Sequence, residues 1–222
     1  MEEIFAFHIT GFGKFCGVEN NPSAELVSRL EKDRSSFEKT LGAHYDTNII
    51  PVSTIDVQNY MLEDCIRDAK VQRSSSNCTD VWVHVGVHGS TDVFNLEEVG
   101  WNEADFRCPD ERGFQPEKQP IWDGRDCSHS LRTSLPLGEI LESLHDGEKE
   151  TKVIAKLSTD AGRFLCNFIY YLQLQRVSQL REELGRHAHA LFVHIPPAKA
   201  VPVDQQYLWL CNLLASIKII LS

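Results

Sequence analysis

Asp160-Ala161-Gly162-Arg163-Phe164-Leu165-Cys166 closes a short apolar run and opens a strongly helical one, with a thiol one turn inside the helix. The amide N–H groups of a helix's first turn are unpaired and carry partial positive charge. They favour a thiolate over a thiol and can donate hydrogen bonds to an oxyanion. A thiol nucleophile also needs an imidazole to hold and return a proton. Ala190-Leu191-Phe192-Val193-His194-Ile195-Pro196-Pro197 ends an apolar run in such a group. The third partner, a carboxylate to orient the imidazole, is on offer twice in Leu96-Glu97-Glu98-Val99-Gly100-Trp101-Asn102. Strand side chains alternate faces, so only one of Glu97 and Glu98 can enter a site, and the spacing does not choose between them. Cysteine, histidine and carboxylate together read as a hydrolase triad working through an acyl-enzyme.

The elements that must position these groups follow from periodicity and breakers. Residues 4–10 read as a strand, closed by the turn Gly11-Phe12-Gly13-Lys14-Phe15-Cys16-Gly17. A helix starts at 20–23, where Pro22 suits the first turn. Short strands are expected at 48–52, 81–87, 91–99, 152–157 and 189–194. Helices are expected at about 55–71, 136–144, 161–184 and 202–220, the last with Leu208, Leu210, Leu213, Leu214, Ile217 and Ile220 facing a core. Between 101 and 133 prolines, glycines and charges replace any period, which reads as a loop-rich excursion. Alternating strands and helices predict one α/β domain over 1–222, an open, twisted, mostly parallel sheet in a three-layer α/β/α sandwich. Sites in such sheets gather at the carboxyl ends of strands, where the turn after Thr10, the Asp160 turn and His194 fall.

Composition narrows the partners. With 22 basic against 32 acidic residues the net charge is −10, which argues against nucleic acid or an anionic membrane. Seven cysteines lie scattered with no CxxC, and no apolar run nears the roughly 20 residues of a bilayer span. A reducing, cytoplasmic setting is the expectation. His187 with His189, and Cys127 with His129, lack a second pair at zinc spacing, so no metal is expected. The glycines of Gly86-Val87-His88-Gly89 read as a tight turn. Arg163 is expected to pair with a neighbouring carboxylate. The apolar final helix can bury its stripe within the fold or across a homo-oligomer.

Several motifs, in order, resemble those of the pyroglutamyl-peptidase I family of cysteine peptidases. They are Thr10-Gly11-Phe12-Gly13-Lys14-Phe15, Asn21-Pro22-Ser23, Ile50-Pro51-Val52, Val83-His84-Val85-Gly86-Val87, Leu96-Glu97 with Gly100 and Asn102, the Asp160–Cys166 run, and Val193-His194-Ile195-Pro196-Pro197. The resemblance implies an α/β/α sandwich, no cofactor, and removal of N-terminal pyroglutamate from small peptides. By position it makes Cys166 the nucleophile, His194 the base and later acid, Glu97 the orienting carboxylate, and Phe12 and Phe15 the walls of the lactam slot. The chain departs from the family at Lys14, where relatives usually carry proline, and at about Thr91, where some carry arginine. These departures motivate an alternative: a catalytically weak homologue that binds N-terminally blocked peptides.

Overall fold

The computed structural model describes residues 4–15, 17–70, 78–89, 91–147 and 154–222. The elements run β1 (Ile4–Phe12), α1 (Pro22–Leu41), β2 (His44–Ile50), α2 (Thr54–Lys70), β3 (Cys78–Val87), β4 (Phe94–Glu97), β5 (Val99–Trp101), β6 (Ser130–Arg132), α3 (Leu137–Gly147), β7 (Ala155–Ser158), α4 (Leu165–Leu184), β8 (His187–Ile195) and α5 (Val203–Leu221). Six strands form one sheet in the order β2-β1-β3-β8-β4-β7. Pairing is parallel from β2 to β8, and antiparallel between β8 and β4. Since β7 is parallel to β4, both run against the other four. The sheet is therefore mixed but mostly parallel, as expected.

Alternation along the strands splits the core in two. Phe5, Phe7 and Ile9 join Val81, Val83, Val85, Leu191 and Val193 against α1, α3 and α5. Phe12, Trp82, Ala190 and Phe192 turn to the other face, against α2 and α4. Near-continuous apolar strands are what a sheet buried on both faces requires. The second face also holds a buried ionic group: His8 Nδ1 lies 2.7 Å from Asp46 and Nε2 3.3 Å from Asp80, which also binds Arg186 at 2.6 Å. Burial disfavours a charged His8, but the two carboxylates outweigh it and raise its pKa to about 9.

Several boundaries correct the reading by periodicity. The strand expected at 91–99 is two: β4 stays in the main sheet, and β5 leaves it to pair antiparallel with β6. The excursion at 101–133 thus carries a small sheet of its own. Gly86 lies inside β3 and not in a turn, because the parallel ladder to β8 continues through Gly86 and Val87. Leu208 is 57 % exposed, and its neighbour Trp209 is buried in its place, since the stripe of α5 is rotated by one residue there. The ends expected at residues 71 and 152 lie outside the described residues.

Local chemistry explains the helix ends. Asn21 accepts from Ser23 N at 3.1 Å as the N-cap of α1, with Pro22 in the first turn. Gly11 is required by packing: a Cβ there would lie 2.6 Å from the Ser23 carbonyl oxygen, where β1 passes under α1.

Candidate active site

Cys166 is reached by a turn and not by a helix. α4 begins at Leu165 rather than at 161, so Asp160, Gly162 and Arg163 form a lead-in and Cys166 falls in the first turn. Gly162 takes φ 75°, a conformation costly for any residue with a Cβ. The Asp160 carboxylate holds this turn, accepting from Gly162 N at 3.1 Å and from Arg163 Nη1 at 2.8 Å. Arg163 Nε also donates to Glu103 at 2.8 Å, so the expected pairing exists twice over. Phe164, the N-cap, supplies no side-chain hydrogen bond, which leaves first-turn amides of α4 without that acceptor.

His194 stands near the carboxyl end of β8, beside Gly86 of β3 in the parallel ladder. Its Nδ1 donates to Glu97 Oε1 at 2.7 Å, and Cys166 is a second hydrogen-bond partner. Glu97 is fully buried on β4, two residues beyond Asn95, the partner of His194 in the antiparallel ladder, so it reaches the ring diagonally. Glu97 therefore comes from a strand that runs against β8. Glu98 turns the other way and pairs with Arg132 at 2.7 Å. Burial would push the pKa of His194 down; the charge and hydrogen bond of Cys166, then Glu97, prevail and raise it to about 9. The neighbouring His88 ring sits edge-on at 5.5 Å, held below the usual imidazole range by burial and by the charge of His194.

A cleft of about 630 Å³ opens over these groups, lined by Phe12, Phe15, Gly86, His88, Asp105, Arg107, Phe164, Cys166 and His194 among others. Phe15 and Phe164 lie 6.4 Å apart, ring to ring. The aromatic turn lacks the family's proline, yet it is held at several points. Phe15 and Val18 exchange backbone hydrogen bonds, Gly13 N donates to Ile50 O, and Asn21 Nδ2 donates to Gly13 O. Lys14 itself is exposed. Thr91 Oγ1 accepts from Val93 N at 3.2 Å in a local turn.

Three contributors had no site role assigned from sequence, although Gly86 and Asn102 lie within the family motifs. Gly86 is the floor under the thiol: a Cβ there would lie 2.7 Å from Phe192 Cζ and 3.2 Å from Cys166 Sγ. Asn167, directly after Cys166, accepts from Trp101 N and donates to the carbonyls of Trp101 and Glu103. Asn102 donates to the carbonyls of Trp122, Arg125 and Asp126. Asn167 binds the excursion to the helix that carries Cys166, and Asn102 ties the excursion to itself. A polar residue at a core position of an apolar helix was the available signal for Asn167. The candidate metal pairs are engaged otherwise: His189 bonds Ser134 at 2.8 Å and His129 bonds Tyr171 at 2.9 Å.

Gly86→Ala is expected to lower kcat/KM about 100-fold, since an ångström of displacement at a reacting atom costs about that much. Crowding against Phe192 should cost about 1–3 kcal/mol of stability as well. Kinetics and thermal melting of the purified variant test this; full activity would mean that the thiol is not seated over Gly86.

A helix-start thiol, a buried imidazole and a carboxylate behind it, set on an α/β/α sandwich, have the architecture of a thiol-dependent hydrolase. The chain belongs to the pyroglutamyl peptidase family, whose profile, described as pyroglutamyl peptidase, matches residues 6–214. It is 31% identical over 215 residues to the pyrrolidone-carboxylate peptidase of Vibrio parahaemolyticus, covering 96% of this chain and 89% of that one. The pyrrolidone-carboxylate peptidase of Thermococcus onnurineus is 30% identical over 188 residues, 85% of this chain and 82% of that one. Among solved structures, the pyrrolidone carboxyl peptidase of Fervidobacterium islandicum superposes with a TM-score of 0.74 at 26% identity, covering 96% of this chain and 98% of that one. The Thermus thermophilus enzyme gives 0.74 at 25% identity, covering 94% and 98%. No described helix is long and apolar enough to cross a membrane.

Proposed function

We propose that this protein removes N-terminal pyroglutamate from small peptides by thiol catalysis, with Cys166, His194 and Glu97 as a triad. One observation carries the reading: Cys166, in the first turn of a helix without a side-chain cap, is hydrogen-bonded to a buried His194 whose Nδ1 rests on buried Glu97. Phe12, Phe15 and Phe164 line the same cleft and suit a flat, uncharged lactam. A free amino terminus would have to bury its charge in that slot, which is expensive. The thiolate attacks the pyroglutamyl carbonyl, first-turn amides of α4 receive the oxyanion, and His194 protonates the leaving amine. Water, deprotonated by His194, then releases pyroglutamate from the acyl-enzyme. The residues alone supply this chemistry, and the reading requires no cofactor.

The direct test is release of a fluorescent amine from a pyroglutamyl amide under reducing conditions. Turnover supports the reading; a folded protein that binds the amide without turning it over would make it a binder of blocked peptides.

A pH profile follows from the His194 pKa of about 9. The protonated ring is the acid that expels the amine, so kcat/KM should hold through neutral pH and fall about tenfold per unit above about 9. An alkaline limb already descending at pH 7 would break the imidazolium assignment. Linkage gives the same sign for stability. His8 and His194, both raised to about 9, contribute stability that is full below 6.5 and lost as pH rises through about 9.

A further inference from the structure

The cleft has one wall built by the excursion, and that wall holds a cation with no assigned work. The wall is anchored at both ends. On the α4 side, Asp105 N donates to Arg163 O at 3.0 Å and Phe106 packs edge-on against Phe164 at 4.7 Å. On the α2 side, Asp110 Oδ2 accepts from Thr54 N at 2.8 Å, and Glu111 N donates to Val52 O at 3.0 Å. Arg107 lies between these anchors, exposed, and lines the cleft with Cys166 and His194.

The cleft's other guanidinium, Arg163, is consumed by Glu103 and Asp160. Arg107 forms no ion pair or side-chain hydrogen bond among the described residues, and none joins it to Asp105, the nearby acid of the same wall. Its charge is felt at His88, which stands edge-on to His194. His194 must touch the leaving nitrogen in the proposed reaction, so the His88 side of the cleft is where the departing part of the peptide lies. A free guanidinium there, on a protein of net charge −10, offers a local counter-ion against an acidic background.

We infer that Arg107 is a specificity-determining residue that binds a carboxylate on the leaving side of the substrate, beyond the scissile bond. The inference rests on the pyroglutamyl-peptidase reading. Two sources share the chemistry: the terminal carboxylate of a pyroglutamyl dipeptide, or an acidic side chain at the residue after pyroglutamate. A planar fork of N–H donors suits either. Because the guanidinium is solvent-exposed, its effect is that of an exposed ion pair, about fivefold, and salt-sensitive.

The experiment compares four substrates: pyroglutamyl-alanine, pyroglutamyl-alaninamide, pyroglutamyl-glutamic acid α-amide and pyroglutamyl-glutamine amide. The quantity read is the ratio of kcat/KM for the charged member to its neutral partner, in wild type, Arg107→Gln and Arg107→Lys, at low and high salt. In wild type one ratio, or both, should stand about fivefold above that of Arg107→Gln, through KM, with the lysine variant between and the difference fading with salt. A gain confined to the alanine pair assigns the terminal carboxylate; one confined to the glutamate pair assigns the side chain. Identical ratios in wild type and Arg107→Gln overturn the inference, as does an equal loss on all four substrates. Calorimetric binding of the same ligands to Cys166→Ala, with and without Arg107→Gln, reads the discrimination without turnover. Failure of catalysis on every substrate would therefore count against the proposed reaction alone, while the binding ratio still decides the role of Arg107.

Discussion

Replacing Cys166 by alanine is expected to lower kcat for a pyroglutamyl amide by about 10⁵- to 10⁶-fold, the scale of loss when a nucleophile is removed from a triad. No nearby group can substitute. His194, set on Glu97, moves protons, and water attacking directly would lack the thiolate and form no acyl-enzyme. Stability should change little, within about 1 kcal/mol, because the exchange removes one partly exposed sulfur at a helix start. That pairing of outcomes makes the test sharp: a melting temperature near wild type with activity gone assigns a chemical role. Thiol alkylation of the wild-type protein should reproduce the loss. Substantial turnover by the alanine variant would end the case for a cysteine nucleophile.

His194→Asn is expected to cost about 10²- to 10⁴-fold in kcat/KM, the range of a positioned general acid and base. Its alkaline limb near pH 9 should vanish with the titrating group. This variant is also expected to destabilise, since Glu97 is fully buried and loses its cationic partner; breaking such a pair costs about 3–5 kcal/mol. Glu97→Gln separates the two effects. An amide still accepts from Nδ1 and so still orients the ring, and the expected loss is smaller, about 10- to 100-fold. Removing the carboxylate's charge also removes part of what raises the His194 pKa, so the alkaline limb should move below 9. A Glu97→Gln profile with the limb unmoved would mean that Glu97 does not support the imidazolium.

Much of the sheet was legible because buried strands and amphipathic helices leave strong periods. Residues 81–87, 189–194 and 202–220 lie within or nearly on β3, β8 and α5. The start of α4 was read too early because Ala161 and Arg163 are good helix formers, while Gly162 at φ 75° imposes a turn that propensity does not report. β5 was fused to β4 because their sequence is continuous. Only the pairing with β6, itself inside a stretch with no period, separates them.

The sequence by itself determined that a thiol opens a helix, that a histidine ends a buried strand, and that two adjacent acids compete for one role. Those are local facts, set by hydrogen-bonding needs within a few residues. Spacing left Glu97 and Glu98 open, and only the family register preferred Glu97. The tertiary structure sets Glu97 against His194 because of which face of β4 meets β8, through an antiparallel pairing the alternation of elements did not reveal. It also decided that Gly86 must lack a side chain, since the atoms that would collide come from β8 and α4. The placement of Arg107 over the cleft is of the same kind. It rests on Asn167, Arg163 and Thr54 gripping an aperiodic segment from separate elements, contacts between residues far apart in the chain that no local pattern encodes.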